Sequence, residues 1–358
     1  MASRRVLLAS DSLWPGNGGI CRVARLMEKV LAEEVRRGTI NASALVCGDR
    51  AASPDLSLSV RLARSSRLRF AAWTHLAALN HSHFIYDSVS MARAHCRVPG
   101  LRHPFMTYIH GIEVWEGTRP DRLLWARRAS MLVANTAYTR DRAQRLHGGF
   151  DGARVCHLAT ETDEPSTLSP RTSGPPAVLM LGRIDSVLYK GHAEMIDAWP
   201  AVNSAVADAR LVIAGSGPGL EEIRRRAAQS PAASAIEVRG FVPEEQMTGV
   251  WADASVLALP SRGEGFGLVY IEAMRHGIPV IASVHDAAPE INLDGQTGYN
   301  VNLDTSNELP ERVVHLLRDR DLAARMGQAG RQRWSDHFRY SSFRDRFRPL
   351  LSEFLRIA

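Results

Sequence analysis

The sequence contains no apolar run that approaches the ~18 residues of a membrane-spanning helix. Its first apolar run, RVLLAS, is too brief for the core of a signal peptide, so we interpret it as a first β-strand. The cysteines form neither a C-x-x-C pair nor a zinc-binding spacing, and they are Cys21, Cys47, Cys96 and Cys156. Widely spaced cysteines are typical of free thiols in a reducing compartment. These absences favour a cytoplasmic protein.

Lysine is nearly absent, so arginine supplies almost all of the 44 basic residues that give the chain its net charge of +6. Such an excess suggests an anionic partner, which could be nucleic acid, an acidic membrane surface or a phosphorylated substrate. The sequence has no zinc finger, no aromatic RNA-binding signature and no lysine-rich tail, which disfavours nucleic acid. A length of 358 residues is about two domains, and a hydrophobic content of 45% is ordinary for a globular protein.

Two glutamates separated by seven residues, Glu264 and Glu272, occupy the most informative stretch of the chain. Glu264 lies in a glycine-rich turn, where missing Cβ atoms let a ligand approach the backbone. The following LVYIEAMRHG predicts a helix of about ten residues that ends at Gly277, and VIAS after Pro279 predicts a buried strand.

The start of that helix favours an anion, because its free N–H groups and the positive end of its dipole point outward. The residues that would present these groups are Gly265, Phe266, Gly267, Leu268 and Val269. A carboxylate would repel a phosphate, so Glu264 is expected to accept hydroxyl protons from a polyol, and Glu272 could bind a second polyol. A nucleotide sugar has this alternation of ribose diol, diphosphate and sugar hydroxyls. The alternative is that both glutamates are ordinary solvated residues.

Residues 257–298 resemble the donor site of the retaining GT-B glycosyltransferases of glycosyltransferase family 4, whose hallmark is E-x7-E. The family's D-G-x-T-G follows here as Asp294 to Gly298. One departure is that Ala287 and Ala288 stand where members often carry a glycine pair. The resemblance implies an α/β fold of two Rossmann-like domains facing across a cleft, with a C-terminal helix that crosses back to the first domain.

Alternating strand and helix patterns before and after a proline-rich stretch predict two parallel-sheet domains. We expect an N-terminal, acceptor-binding domain over 1–164, a linker over 165–176 and a nucleotide-sugar-binding domain over 177–338. Residues 339–358 carry apolar side chains at helical spacing, which predicts the helix that packs back on the first domain.

Basic side chains follow the first strand of the expected second domain. Arg183, directly after Gly182, offers a planar fork for a phosphate, and Lys190 offers a point charge. The resemblance implies that these residues hold the donor's diphosphate. It also makes Phe241 a candidate for contact with the nucleobase, although Phe241 could equally be a core residue.

In the expected first domain, the loop with Gly16, Gly18 and Gly19 follows the first strand but does not form G-x-G-x-x-G. The resemblance implies that this loop faces the donor diphosphate and the acceptor, whereas the alternative is a plain tight turn. His110 follows another strand, and the resemblance implies that it contacts the donor sugar. A lone histidine is otherwise more often structural.

The segment 61–79 reads as a basic amphipathic helix that carries Arg61, Arg64, Arg67 and Arg69. Such a helix can lie on an anionic membrane, as would suit lipid-linked acceptors, or it can be an ordinary solvated surface. The D-x-D at Asp319 and Asp321 is better explained by helix capping than by a metal. We therefore predict neither a metal nor a cofactor.

Together with these features, the resemblance implies a hexosyltransferase that uses a UDP- or GDP-sugar and a hydroxyl of a glycan or lipid-linked acceptor, in polysaccharide, lipopolysaccharide or other glycoconjugate biosynthesis. The expected catalytic residues are His110, Arg183, Lys190 and Glu264. Retention of configuration is implied by the resemblance. The alternatives are an epimerase or phosphorylase of the same architecture and a non-catalytic sugar-binding or scaffold protein.

Overall fold

The computed structural model describes residues 4–16, 18–168, 174–187 and 189–357. The chain divides into two compact units, one formed by residues 1–162 with 340–358 and the other by residues 163–339. We call them the N-terminal and C-terminal units. Of the expected linker 165–176, residues 169–173 lie outside the described residues. None of the helices in the described ranges is long and apolar enough to cross a membrane.

The N-terminal unit contains a seven-stranded parallel sheet with strand order β3-β2-β1-β4-β5-β6-β7. Its central strands β1, β4, β5 and β6 are short, mostly buried apolar runs, as expected when helices cover both faces, whereas the edge strands β3 and β7 are partly exposed. The elements are β1 Arg4–Ser10, α1 Gly19–Arg36, β2 Ile40–Val46, β3 Ser59–Leu62, α2 Arg67–Ala77, β4 His83–Tyr86, α3 Val89–Ala92, β5 Phe105–Ile109, α4 Pro120–Arg128, β6 Met131–Ala134, α5 Ala137–His147 and β7 Arg154–Val155.

The C-terminal unit contains a six-stranded parallel sheet with strand order β10-β9-β8-β11-β12-β13. The elements are β8 Ala177–Leu181, α6 His192–Ala205, β9 Arg210–Ala214, α7 Leu220–Gln229, β10 Ile236–Gly240, α8 Glu244–Asp253, β11 Val256–Ala258, α9 Leu268–His276, β12 Val280–Ser283, α10 Ala288–Ile291, β13 Gly298–Val301, α11 Glu308–Arg318 and α12 Arg320–His337. Asp319 caps α12 by accepting the N–H of Leu322 at 2.8 Å, as the sequence predicted.

The last helix, α13 Tyr340–Phe354, belongs to the N-terminal unit, as the resemblance implied. Its buried side chains recur at helical spacing, and they are Phe343, Phe347, Leu351 and Phe354. Arg348 donates to Glu34 on α1 at 2.8 Å and also pairs with the neighbouring Glu33. The apolar face and these ion pairs attach α13 to α1.

The prediction of a single basic helix over 61–79 is wrong. Arg61 belongs to β3, which pairs in parallel with β2. Arg64 has φ = 51°, a left-handed conformation that a helix cannot contain, and Ser66 then caps α2 by accepting the N–H of Arg69 at 3.3 Å. Only Arg67 and Arg69 lie on the helix. A local turn therefore overrides the continuous pattern of arginine and apolar residues.

Each sheet reverses its strand order once, between β1 and β4 in the N-terminal unit and between β8 and β11 in the C-terminal unit. In a doubly wound sheet, the loops at the carboxyl ends of the two strands that flank this reversal diverge and leave a crevice. Ligands of such folds bind there. Both reversals are therefore candidate positions for a ligand-binding site.

Candidate functional site

Two predicted site residues meet at the strand-order reversal of the C-terminal unit. Lys190 lies in the loop after β8 and Glu264 in the loop after β11. The Lys190 Nζ atom is 3.7 Å from Glu264 Oε2, and their side chains are 16% and 21% exposed. An ammonium and a carboxylate of limited exposure thus stand together at the crevice, each with hydrogen-bonding capacity left for a ligand.

Glycine permits the close approach of these two loops. Gly191 has φ = +79°, and a Cβ on it would lie 2.3 Å from the carbonyl oxygen of Pro260. Gly182 faces the lysine directly, since a Cβ there would lie 3.7 Å from Lys190 Nζ. The segment after β8 is therefore fixed against the start of the loop that carries Glu264.

Helix α9 has the bounds that the sequence indicated, with Gly277 as its left-handed C-cap at φ = 73°. Gly265 and Gly267 are buried in the turn before it, while Leu268 and Glu272 are half-buried on the helix. The Phe266 ring is buried and packs edge-on against Phe338, with centroids 6.0 Å apart. The side chain of Phe266 therefore belongs to the core of this unit.

Arg183 and Phe241 are the exposed members of the predicted set. The Arg183 side chain is 68% exposed, and its Nε donates to Asp185 at 2.7 Å. That carboxylate raises the pKa of Arg183 and orients the guanidinium. Phe241 follows β10 and is 72% exposed, so the alternative that it is a core residue is wrong.

Asp286, in the loop after β12, was missed by the sequence reasoning. Its buried carboxylate accepts the N–H of Glu264 and the N–H of Ala288, both at 2.9 Å. Burial, with the charge of Glu264 adding to it, raises the pKa of Asp286 to about 7. The link depends on the adjacency of β11 and β12, which no local motif signals.

His192 is a second buried group beside the site that the sequence reasoning did not single out. It opens α6 directly after Gly191, and neither ring nitrogen has a hydrogen-bond partner among the described residues. Burial, followed by the charge of Lys190, lowers the pKa of His192 to about 4. The imidazole is therefore neutral near pH 7 and adds no charge to the site.

His110 in the N-terminal unit lies at the end of β5. Its Nε2 is 2.6 Å from the carbonyl oxygen of Asp87, to which it donates, and its ring stacks on Tyr108 with centroids 5.9 Å apart. Asn135 donates to the carbonyl of His110 at 3.1 Å. In the neutral imidazole this leaves the lone pair on Nδ1, which can accept a hydrogen bond from a hydroxyl.

The glycine-rich loop of this unit leads into α1, which begins at Gly19. Gly18 has φ = 93°, and a Cβ on it would meet no atom within 4 Å among the described residues. Asp49 holds the start of the loop by accepting the Ser12 hydroxyl at 2.6 Å and the Leu13 N–H at 2.8 Å. Asn17, within the loop, lies outside the described residues.

Asp87, after β4, ties this loop region to the strand-order reversal by accepting the N–H of Asp11 at 2.9 Å. Burial, with the charge of Asp11 adding to it, raises the pKa of Asp87 to about 7. Within the described residues, no group of three or more His, Cys, Asp or Glu is arranged to hold a metal ion. Of the predicted site residues, Lys190 and Glu264 thus lie in the C-terminal unit, and His110 and Gly18 lie in the N-terminal unit.

Residues 166–333 match the family model described as glycosyl transferases group 1. A GDP-mannose-dependent alpha-(1-6)-phosphatidylinositol monomannoside mannosyltransferase of Mycolicibacterium smegmatis is 36% identical over 184 residues, which are 49% of this chain and 48% of that protein. Its counterpart in Mycobacterium tuberculosis is 35% identical over 237 residues, 62% of this chain and 60% of that protein. The matches thus span about half to three fifths of the length of these relatives.

The fold has neighbours over nearly its whole length. The crystal structure of Anabaena Alr3699/HepE in complex with UDP and glucose superposes with a TM-score of 0.78 at 17% identity, covering 98% of this chain and 100% of that one. The family model covers the unit in which Lys190 and Glu264 meet. The chain therefore has the two-domain fold of the GT-B glycosyltransferases, and residues 166–333 are similar to the group 1 glycosyl transferases.

Proposed function

We propose that the protein transfers a hexosyl unit from a nucleotide diphosphate sugar to a hydroxyl of a glycolipid. The observation that carries the proposal is the pairing of Lys190 with Glu264 at the strand-order reversal, inside the E-x7-E frame. The mycobacterial relatives are named for GDP-mannose and a phosphatidylinositol mannoside. GDP-mannose is therefore the donor to test first, with UDP-sugars next, and a phosphoinositol-linked glycan is the first acceptor.

The cations of the C-terminal unit suit a departing diphosphate. Lys190 pairs with Glu264 at 3.7 Å, which is too long for a hydrogen bond, so the pairing does not occupy its ammonium donors. Arg183 is oriented through its Nε by Asp185, which leaves its terminal N–H groups for phosphate oxygens. Fixed positive charge at the site where negative charge develops lowers the barrier to transfer, and one such donor typically contributes 10²–10³-fold, on the order of 3–4 kcal/mol.

Glu264 and Glu272 are proposed to bind hydroxyls of the donor. A carboxylate that is only an acceptor suits the diols of ribose and hexose. The main chain from Gly265 to Leu268, at the start of α9, would contact the donor, and Phe241 would lie against the nucleobase. In the N-terminal unit, which we propose binds the acceptor, His110 and the main chain at Gly18 and Gly19 would contact substrate.

We further propose that transfer retains anomeric configuration and needs no metal. A retaining double displacement requires a carboxylate that attacks the anomeric carbon, whereas Glu264 and Glu272 are assigned here to hydroxyls of the donor. The departing phosphate would instead take the proton of the acceptor hydroxyl on the same face of the sugar. Lys190 and Arg183 would supply the charge that a divalent cation supplies elsewhere.

Access to a lipid-borne acceptor would use the surface of α2. Leu68 is 86% exposed between Arg67 and Arg69, and Leu76 and Leu79 are also exposed. Apolar side chains flanked by arginines bind anionic lipid surfaces, at about 1 kcal/mol per basic residue near the membrane. The protein should sediment with phosphatidylglycerol vesicles, and Leu68→Ser should lower the fraction that sediments with them. An equal vesicle-bound fraction for the variant and the unchanged protein would exclude the surface of α2 as the lipid contact.

The function is tested by incubating the protein with labelled GDP-mannose or UDP-sugars and phosphatidylinositol mannosides, with and without a chelator. Label should move to the lipid, in the α configuration by NMR, at an unchanged rate in chelator. Release of free sugar without acceptor dependence, or phosphate acting as acceptor, would indicate the epimerase or phosphorylase alternative. Donor binding without any turnover would indicate a sugar-binding protein.

A further inference from the structure

The loop after β12 is hydrogen-bonded to the loop after β11 on both sides of Glu264. The N–H of Glu264 donates to Asp286 at 2.9 Å, and its carbonyl accepts the N–H of Ala287 at 3.2 Å. The Ser283 hydroxyl also donates to the carbonyl of Ser261. The main chain of the candidate donor-binding glutamate is therefore held from its neighbouring strand rather than by its own loop.

This arrangement requires two acceptor oxygens on Asp286. One oxygen receives the N–H of Glu264 and the other the N–H of Ala288, both at 2.9 Å. An ionised carboxylate meets both donors, whereas a protonated one, or an asparagine, turns a donor toward one of them. A buried N–H left without an acceptor is costly, so either change disfavours the observed loop conformation.

The surroundings of Asp286 oppose the ionised form that the geometry requires. The side chain is 2% exposed, and no ion pair of Asp286 occurs within the described ranges. The charged and titratable groups that interact with it are Glu264 and the buried phenol of Tyr270, which donates to the carbonyl of Leu259 at 2.8 Å. Glu264 repels the negative charge of Asp286 and Tyr270 does not compensate it.

We propose that Asp286 is a positioning residue whose ionised carboxylate holds the main chain of Glu264 in its donor-binding conformation and whose protonation releases it. The buried Ala287 and Ala288, in place of the family's glycine pair, complete this link: both are fully buried, and both main-chain N–H groups take part in it. The inference rests on the proposed function, because it assumes that Glu264 binds the donor.

The test compares Asp286→Asn with Asp208→Asn, a change at an exposed aspartate in the same unit before β9. The affinity for GDP-mannose and for UDP-glucose is measured by calorimetry between pH 6 and 8.5. These donors are diphosphate diesters, so they do not titrate in this range. For the donor that binds, affinity should fall about tenfold in Asp286→Asn, comparable to one lost hydrogen bond, and remain unchanged in Asp208→Asn.

The pH series separates positioning from a merely structural role. The donor affinity of the unchanged protein should weaken as the pH falls from 8 to 6, and that dependence should be absent in Asp286→Asn. Donor affinity independent of pH in the unchanged protein, or the same dependence in both, would overturn the inference even where the variant is unstable. Failure of the unchanged protein to bind either donor at any pH would overturn the proposed function and this inference with it.

Discussion

Substitution of Gly191 by alanine should damage both stability and donor binding. Gly191 lies between Lys190 and the first residue of α6 with φ = +79°, and an added Cβ would lie 2.3 Å from the oxygen and 2.9 Å from the carbon of the Pro260 carbonyl. Real Cβ contacts are essentially never shorter than 3.0 Å. The loops that carry Lys190 and Glu264 would therefore have to separate by more than half an ångström.

The cost has two parts. A left-handed conformation costs an alanine roughly 1–2 kcal/mol, and an overpacked contact typically adds about 1–3 kcal/mol. A loss of about 2–5 kcal/mol from a unit of this size lowers Tm by roughly 5–15 °C. The affinity for the nucleotide diphosphate sugar should fall at least about tenfold, because the displacement of Lys190 has to weaken binding by only ~1.4 kcal/mol to raise Kd tenfold.

Gly249→Ala in α8 is the matched control, because a Cβ there meets nothing within 4 Å among the described residues. Alanine is favoured over glycine inside a helix by about 1 kcal/mol, so Tm should rise by a few degrees and donor affinity should stay the same. Differential scanning fluorimetry and calorimetry would measure both quantities for both variants. A Gly191→Ala variant with the Tm and donor affinity of the unchanged chain would refute the close packing of these loops.

Three further changes test other parts of the molecule. Lys190→Ala should reduce transfer about 10²–10³-fold because a cation at the diphosphate is lost, whereas Lys29→Ala, which removes the other lysine, should leave kcat within about twofold; equal losses would contradict the assignment. The pKa of Asp87 is raised to about 7, so its contribution to the free energy of unfolding is present near pH 4 and is lost as the pH rises through 7, by up to ~1.4 kcal/mol per pH unit. The Tm should therefore fall less between pH 5 and 8 in Asp87→Asn than in the unchanged chain. An equal dependence of Tm on pH in both proteins would contradict this. Phe347→Ala on α13 empties a fully buried site and should cost about 3–5 kcal/mol by chemical denaturation, in contrast to Arg356→Ala at the exposed end.

Features set by local geometry could be predicted from the sequence. The bounds of α9 follow from Gly267 and Gly277, and Asp319 as the cap of α12 follows from its place before a helical pattern. The resemblance implied that Lys190 and Glu264 both bind the donor, and the strand order explains why their loops lie side by side.

Other features depend on contacts between distant segments and were missed. Asp286 gains its role only because β12 lies beside β11, and the sequence near it contains no motif that indicates this. The segment after β2 was predicted as one helix because its arginines and apolar residues continue across the break at Arg64. A pattern of polarity does not register a residue with positive φ, and β3 forms there because β2 offers an edge to pair with.

Asp87 and Asp286 have the same structural role in the two units, which is to hold the main chain of a neighbouring loop. Each is a buried carboxylate that follows a strand near the strand-order reversal, and each accepts an N–H from the loop of the neighbouring strand, Asp11 in one unit and Glu264 in the other. Burial of a carboxylate without a cation is costly, as the raised pKa values of both groups reflect. A neutral side chain would avoid that cost but could not satisfy the same set of N–H and O–H donors. Stability is therefore given up at the two places where a buried carboxylate holds a loop beside the strand-order reversal.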